Sequence, residues 1–217
     1  MSPRPRTASD DEILDGVVRA VARVGPARLA LTDVARETGL APATLLQRFG
    51  SKRGMLLAAL ERMGAEGERR IGEMRSLSAS RVGAVVAAAM DLAGPDDTPA
   101  TLANRLAFLH GELDDPDVHR IALERSRRRV AGYRTLIDEA IAAGELVAVD
   151  AGRLARSFDA AISGALLQWV VYREGSLAAW VREEAEGVLA PYLQRGAVGR
   201  GEAGGRPMAG PRARHKL

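Results

Sequence analysis

Cysteine is absent from the 217 residues. Its absence excludes disulfides and thiolate metal sites and fits a reducing, cytoplasmic setting. Aromatic residues make up only 4% of the chain, while alanine, leucine, arginine and glutamate abound, a balance that favours helices. Histidine is scarce as well. His110, His119 and His215 fall in no H-E-x-x-H pattern and beside no serine elbow, so hydrolytic chemistry finds no constellation here. No glycine-rich phosphate loop occurs. No apolar run approaches the roughly 18 residues that a membrane span requires. The opening MSPRPRTASDDE has no apolar signal core, so neither export nor membrane insertion is expected.

What is present is helical material with an uneven charge. Hydrophobic residues make up 47% of the chain, enough for a sizeable core. Residues 1–55 hold nine Lys and Arg against six Asp and Glu, a net +3. Residues 56–195 hold 17 against 21, a net −4, and residues 196–217 hold five against one, a net +4. A basic N-terminal unit on an acidic body suits attraction to nucleic-acid phosphates. Residues 1–8 and the Gly-, Pro- and Arg-rich stretch from Gly196 read as a disordered arm and a disordered basic tail.

The stretch from Leu31 to Leu56 reads as two short helices joined by a tight turn, with a third helix following. Thr32 is an expected N-cap. Val34, Ala35 and Thr38 share a face, and Ala35 is small where another helix must cross. Gly39 stands where the chain must reverse, a place that favours a residue tolerant of φ > 0. Pro42 suits the first turn of the next helix, and Leu45 and Phe49 give that helix an inward stripe. This is the spacing of a helix-turn-helix, whose second helix enters the DNA major groove. Before it, Ile13, Val17, Ala20, Val21 and Val24 form the apolar stripe of a helix from about Ser9 to Val24.

The stretch resembles the DNA-binding domain of the TetR family of transcriptional regulators. The matching elements are Ile13-Leu14, Leu31-Thr32-Asp33-Val34-Ala35, Gly39-Leu40, Thr44-Leu45, and Phe49-Gly50-Ser51-Lys52 with Leu56. The resemblance covers about the first quarter of the chain. It implies an all-α protein, with a three-helix DNA-binding domain over residues 9–55. A helical ligand-binding and dimerisation domain over residues 56–195 is expected to follow. It further implies a dimer that binds a palindromic double-stranded operator, most often as a repressor, and is released by a small molecule. No cofactor, metal or enzymatic activity is expected.

Geometry nominates the DNA contacts. Ala43, Thr44 and Gln47 lie near the start or on the outer face of the second short helix and are candidate base readers. Thr32, Arg48 and Lys52 are placed for phosphates, which fix register without reading sequence. Leu46 stands where the family usually has a phosphate-binding tyrosine, and Ala41 where it often has a hydroxyl cap.

In the body, helices are expected over about 52–74, 78–93, 98–110, 115–143, 150–172 and 176–193. Met90, Phe108, His110, Tyr133 and Trp169 are bulky residues on inward faces and are the candidate pocket, with ordinary core as the alternative for each. The basic run Arg125 to Arg129 reads as a solvated face or as a partner of the acidic body. Glu112, Asp114, Asp115 and Asp117 read as a turn and helix cap around Pro116. The resemblance implies that the last two helices pair with their copies in a second subunit. Both tryptophans and the small residues Ala161, Ser163, Gly164 and Ala165 lie there. A rival reading keeps the helical body as a small-molecule-binding module without sequence-specific DNA binding, with Leu46 as its support.

Overall fold

The computed structural model describes residues 8–94, 97–111 and 113–194. The arm over residues 1–7, the tail from 195, and Glu112 lie outside the described residues. The order of elements is α1 (Asp10–Val24), a 3-10 turn (Pro26–Arg28), α2 (Leu31–Thr38), α3 (Pro42–Phe49), α4 (Lys52–Leu77), α5 (Arg81–Met90), α6 (Pro99–His110), α7 (Pro116–Ala142), α8 (Ala151–Tyr172), α9 (Leu177–Leu189) and a closing 3-10 turn (Ala190–Tyr192). The protein is all-helical. The only β-type pairing among the described residues is an isolated bridge between Leu146 and Leu193.

Hydroxyls and carboxylates start most of these helices by accepting from the free amides of the first turn. Ser9 and Glu12 form a reciprocal capping box on α1. Ser51, Ser80, Thr98, Asp115, Asp150 and Ser176 cap α4 to α9 in turn. Two starts differ from expectation. Thr32 does not cap α2: the helix begins at Leu31, and the Asp33 carboxylate reaches back to accept from the Ala30 amide at 3.0 Å. The α5 helix begins at Arg81 and not near Ser78. There the Glu145 carboxylate, arriving from beyond α7, accepts from the amides of Arg81 and Val82 at 2.9 and 2.8 Å.

Buried side chains gather into two clusters. The first joins Ile13, Val17 and Val21 of α1 to Val34 of α2, Leu45 of α3 and Met55 and Ala59 of α4. It is closed from below by Phe108 of α6 and by Val118 and Ile121 of α7. The second lies in the body and centres on Tyr133, Leu136 and Ile137 of α7, Phe158 and Ile162 of α8, and Val181 and Leu189 of α9. Tyr133 and Phe158 meet edge to face, with ring centroids 4.9 Å apart. The α4 helix runs unbroken for 26 residues from the first cluster into the second.

Candidate nucleic-acid interface and cavity

The turn between α2 and α3 is made by Gly39, which adopts the left-handed conformation at φ 72°, ψ 11°. A side chain there would be strained whatever space surrounds it. Its amide donates to the Ala35 carbonyl at 2.9 Å, closing α2. Leu40 then packs beneath the turn, and Pro42 opens α3. Gly16 of α1 fixes the approach of α2 from behind: a Cβ on it would come within 2.4 Å of the Thr38 methyl. The sequence reading passed over Gly16, because nothing in its local pattern distinguishes a close helix crossing from any other helical glycine.

With Leu45 fully buried, the rest of α3 is turned outward. Ala43, Leu46 and Gln47 are exposed, and Thr44 is half-buried. Thr32 is exposed on α2, and Lys52 is half-buried at the first position of α4. Ala43 and Gln47, four residues apart, therefore share an accessible helical face. Arg48 is placed differently from expectation. It donates to the Asp10 carboxylate at 2.8 Å and also to the Ala8 carbonyl, so it ties the end of α3 to the start of α1. A phosphate contact by Arg48 requires release from these partners.

Charged pairs join this unit to the helices below it. Arg53, at the second position of α4, bonds the carboxylates of Asp115 and Asp117 at the start of α7, at 2.9 and 2.7 Å. Those hydrogen bonds raise the Arg53 pKa further and hold the Asp115 carboxyl below its ordinary value. Asp115 also accepts from the amides of Asp117 and Val118. The acidic turn is thus a cap and an ion-pair anchor. Among the described residues no cluster is suited to hold a metal ion. Arg62 of α4 grips Asp11 and Asp15 of α1, each at 2.9 Å. Asn104 of α6 donates to the Ala22 carbonyl of α1 at 2.9 Å.

Beneath this junction lies a cavity of about 440 Å³, walled by α1, α4, α5, α6, α7 and α8. Its apolar lining comes from Met63, Ile71, Leu102, Leu106, Leu109 and Leu166. His110 and Tyr133 line it, as the sequence reading proposed for a pocket. Burial, aided by the nearby Arg125 cation, keeps the His110 pKa below the usual histidine value. Met90, Phe108 and Trp169 lie elsewhere. Phe108 faces upward into the first cluster, because the α6 stripe is shared between two cores. Met90 packs on the body cluster, and Trp169 is buried within it, donating to the Gly175 carbonyl at 3.3 Å. The wall residues that sequence reasoning missed are Arg125 and Arg129. With Tyr133 they recur every four residues on α7, the spacing of one inward face, and that was the available signal.

The fold is a helix-turn-helix carried on a helical body with a cavity beneath it. Residues 13–59 match the family described as bacterial regulatory proteins, tetR family. That match makes residues 13–59 a DNA-binding domain of the tetR type. A search of curated proteins by sequence finds no match. The fold is similar to that of a TetR transcription regulator from Haloarcula marismortui, at a TM-score of 0.70 and 18% identity, over 85% of this chain and 98% of that one. It is similar to a transcriptional regulator from Saccharomonospora viridis crystallised with choline, at 0.71 and 22%, over 86% and 98%. It is also similar to FadR from Bacillus subtilis in complex with stearoyl-CoA, at 0.68 and 16%, over 84% and 98%.

Proposed function

We propose that the chain is a ligand-responsive repressor that binds a palindromic operator as a homodimer and is released by a small molecule held in the cavity. One observation carries this reading. The cavity wall includes Asp15, Val18 and Arg19 of α1 and Arg62, Met63 and Gly64 of α4, the two helices on which the helix-turn-helix is mounted. A molecule that favours one arrangement of α1 and α4 over another shifts the recognition helices with them. On the DNA side, Ala43, Thr44 and Gln47 are proposed to read bases. Thr32 and Lys52 are proposed to hold phosphates, joined by Arg48 once it leaves Asp10.

The homodimer is proposed on α8 and α9. Leu167, Val171 and Tyr172 leave an apolar stripe on α8 that is 59%, 71% and 59% exposed. A stripe of that kind on a soluble chain marks an interaction surface. Gly164 lies on the same helix with open space where a Cβ would stand, and Tyr172 stacks beside Trp180 of α9 at 5.7 Å.

Two features favour the rival reading of a binding module without DNA specificity: the apolar Leu46 on the outer face of α3 and the internal pairing of Arg48. Selection of bound sequences from random DNA separates the two. Enrichment of an inverted repeat supports the regulator, and recovery of unselected DNA at any salt concentration removes it.

A further inference from the structure

Six arginines line the cavity, and five of them are answered by carboxylates. Arg19 pairs with Glu37, Arg62 with Asp11 and Asp15, Arg70 with Glu66 and Asp91, Arg105 with Asp97, and Arg129 with Asp159. Arg125 has no hydrogen bond and no ion pair among the described residues. It is half-buried on the cavity wall beside Arg129, and its stem passes 3.5 Å from the point where a Cβ on Gly64 would stand. Burial, with repulsion from Arg129, pulls its pKa down to about 10, so the group stays cationic at neutral pH but is poorly compensated. A charge left without a partner away from water is costly, and an incoming anion would relieve that cost.

A second, independent observation lies two turns along the same face. Tyr133 is fully buried, and its hydroxyl has no hydrogen-bond partner among the described residues. Buried hydroxyls are almost always bonded, so an orphan that faces a cavity points to a ligand atom. Arg125 and Tyr133 are eight residues apart on α7, roughly 12 Å along the axis. The lining carboxylates Asp15, Glu66, Glu68 and Asp91 are each already paired with an arginine, which favours an anionic over a cationic ligand. The opposite wall, with Met63, Leu102, Leu106, Leu109 and Leu166, is aliphatic.

We propose that the cavity takes an organic oxyanion with an aliphatic body, its charged head at Arg125 and a second oxygen, some two helical turns away, at the Tyr133 hydroxyl. Arg125 supplies a planar fork that matches a carboxylate or a phosphate monoester, while Tyr133 donates to a hydroxyl, ether or carbonyl oxygen. The inference rests on the reading of the body as a ligand-binding unit. It adds the chemical class of the ligand.

The test uses the full chain and calorimetric titration with decanoate, decyl phosphate, 10-hydroxydecanoate and 1-decanol. At least one of the two simple anions should bind about tenfold or more tightly than the alcohol, the equivalent of one charge-assisted hydrogen bond. Which anion leads identifies a carboxylate or a phosphate head. The 10-hydroxy acid should bind more tightly than decanoate. Arg125→Gln should erase the advantage of the anions while leaving 1-decanol binding and the thermal midpoint near wild type. Tyr133→Phe should erase only the advantage of the 10-hydroxyl. Equal binding of 1-decanol and the anions, an undiminished anion preference in Arg125→Gln, or no binding of any of the four would overturn the proposal. Operator binding is measured alongside. Release of DNA by 1-decanol but by no anion keeps the regulator and sinks the anion. Anion binding that depends on Arg125, in a chain that selects no DNA, does the reverse.

Discussion

The two hydrophobic clusters are built to different standards. The upper one has a single buried aromatic, Phe108, lent by α6 of the body, with Phe49 of α3 only partly buried at its edge. The lower one contains Tyr133, Phe158 and Trp169, and beside it arginines and a phenol are kept from water with incomplete compensation. The upper cluster only has to hold a helix at a fixed angle. Small aliphatics, one left-handed glycine and one close crossing at Gly16 suffice for that. The lower one closes a core and still leaves a cavity beside it. Strong packing on one side, through Tyr133 against Phe158, offsets polar groups left unsatisfied on the other. The DNA-facing unit draws on the body for closure, through Phe108, Val118 and Ile121, and in return it buries those side chains of α6 and α7.

That difference between the clusters is open to attack by substitution. The largest effect is expected at Phe158, where truncation to alanine removes a fully buried ring and its edge contact with Tyr133. Phe158→Ala should destabilise the chain by about 3–5 kcal/mol, and the upper unit should lose order together with the body. Chemical denaturation followed by tryptophan emission and by amide exchange in α1 to α3 measures both. Next comes Gly39→Val. A branched residue forced to φ 72° costs about 1–2 kcal/mol or more, confined to the turn. Operator binding should collapse while body exchange rates hold, which is the converse of the Phe158 result.

A gain is expected at Leu46, which is 40% exposed on α3. Leu46→Tyr adds an O–H able to reach a phosphate and should tighten binding about tenfold, or about 1.4 kcal/mol, equally on cognate and scrambled DNA. Paired titrations at one salt concentration decide it. The smallest change in stability is expected at Arg53, an exposed residue whose ion pairs bridge the two units. Arg53→Gln should barely move the thermal midpoint, yet it should loosen the link between α4 and α7 and weaken the ligand's effect on DNA.

The same pairs set a response to acid. The Asp115 pKa lies below its ordinary 3.8, chiefly because Arg53 bonds to it, and that of Glu66 lies near 2, below its ordinary 4.5, because Arg69 and Arg70 do. A lowered carboxylate pKa contributes stability that is present above the unfolded value and is lost as pH falls through the folded one. Helical signal should therefore hold at pH 5 and erode between about 4.5 and 2, and Arg53→Gln should begin to lose it at a higher pH. A midpoint of acid loss above pH 5 would mean that other groups govern it.

The upper unit was largely legible in the sequence because its geometry is set by local chemistry. Ser9, Ser51 and Pro42 mark helix starts by their own hydrogen-bonding or ring constraints, and Gly39 marks the turn by its conformation. The start of α2 is the exception: the pattern points to Thr32 as a cap, whereas the Asp33 carboxylate accepts from the Ala30 amide instead. The body's helices were legible by the same means, but the cavity was not. Its wall draws on six helices, and no periodicity says which inward residue meets core and which meets space. Phe108 and Trp169 have the same inward signature as Tyr133 and end in packed clusters. The basic run Arg125 to Arg129 reads as a solvated face or as a partner of the acidic body, which fits Arg128 and Arg129, but a run of like charges gives no sign that Arg125 lines the cavity unpaired.

Coupling of the cavity to the recognition helices through α1 and α4, as proposed above, is directly testable at Gly64. Gly64 of α4 lines the cavity, and a Cβ on it would meet only the Arg125 stem, at ordinary contact distance. Gly64→Leu is compatible with the helix and fills part of the space a ligand would occupy. The most direct measurement is the operator affinity of this variant against wild type, on DNA selected by the wild type, with the thermal midpoint recorded in parallel. The expected result is a midpoint at or above wild type and an affinity lowered by about 5- to 150-fold, the range of an allosteric coupling of about 1–3 kcal/mol. An unchanged affinity in a folded variant would contradict it.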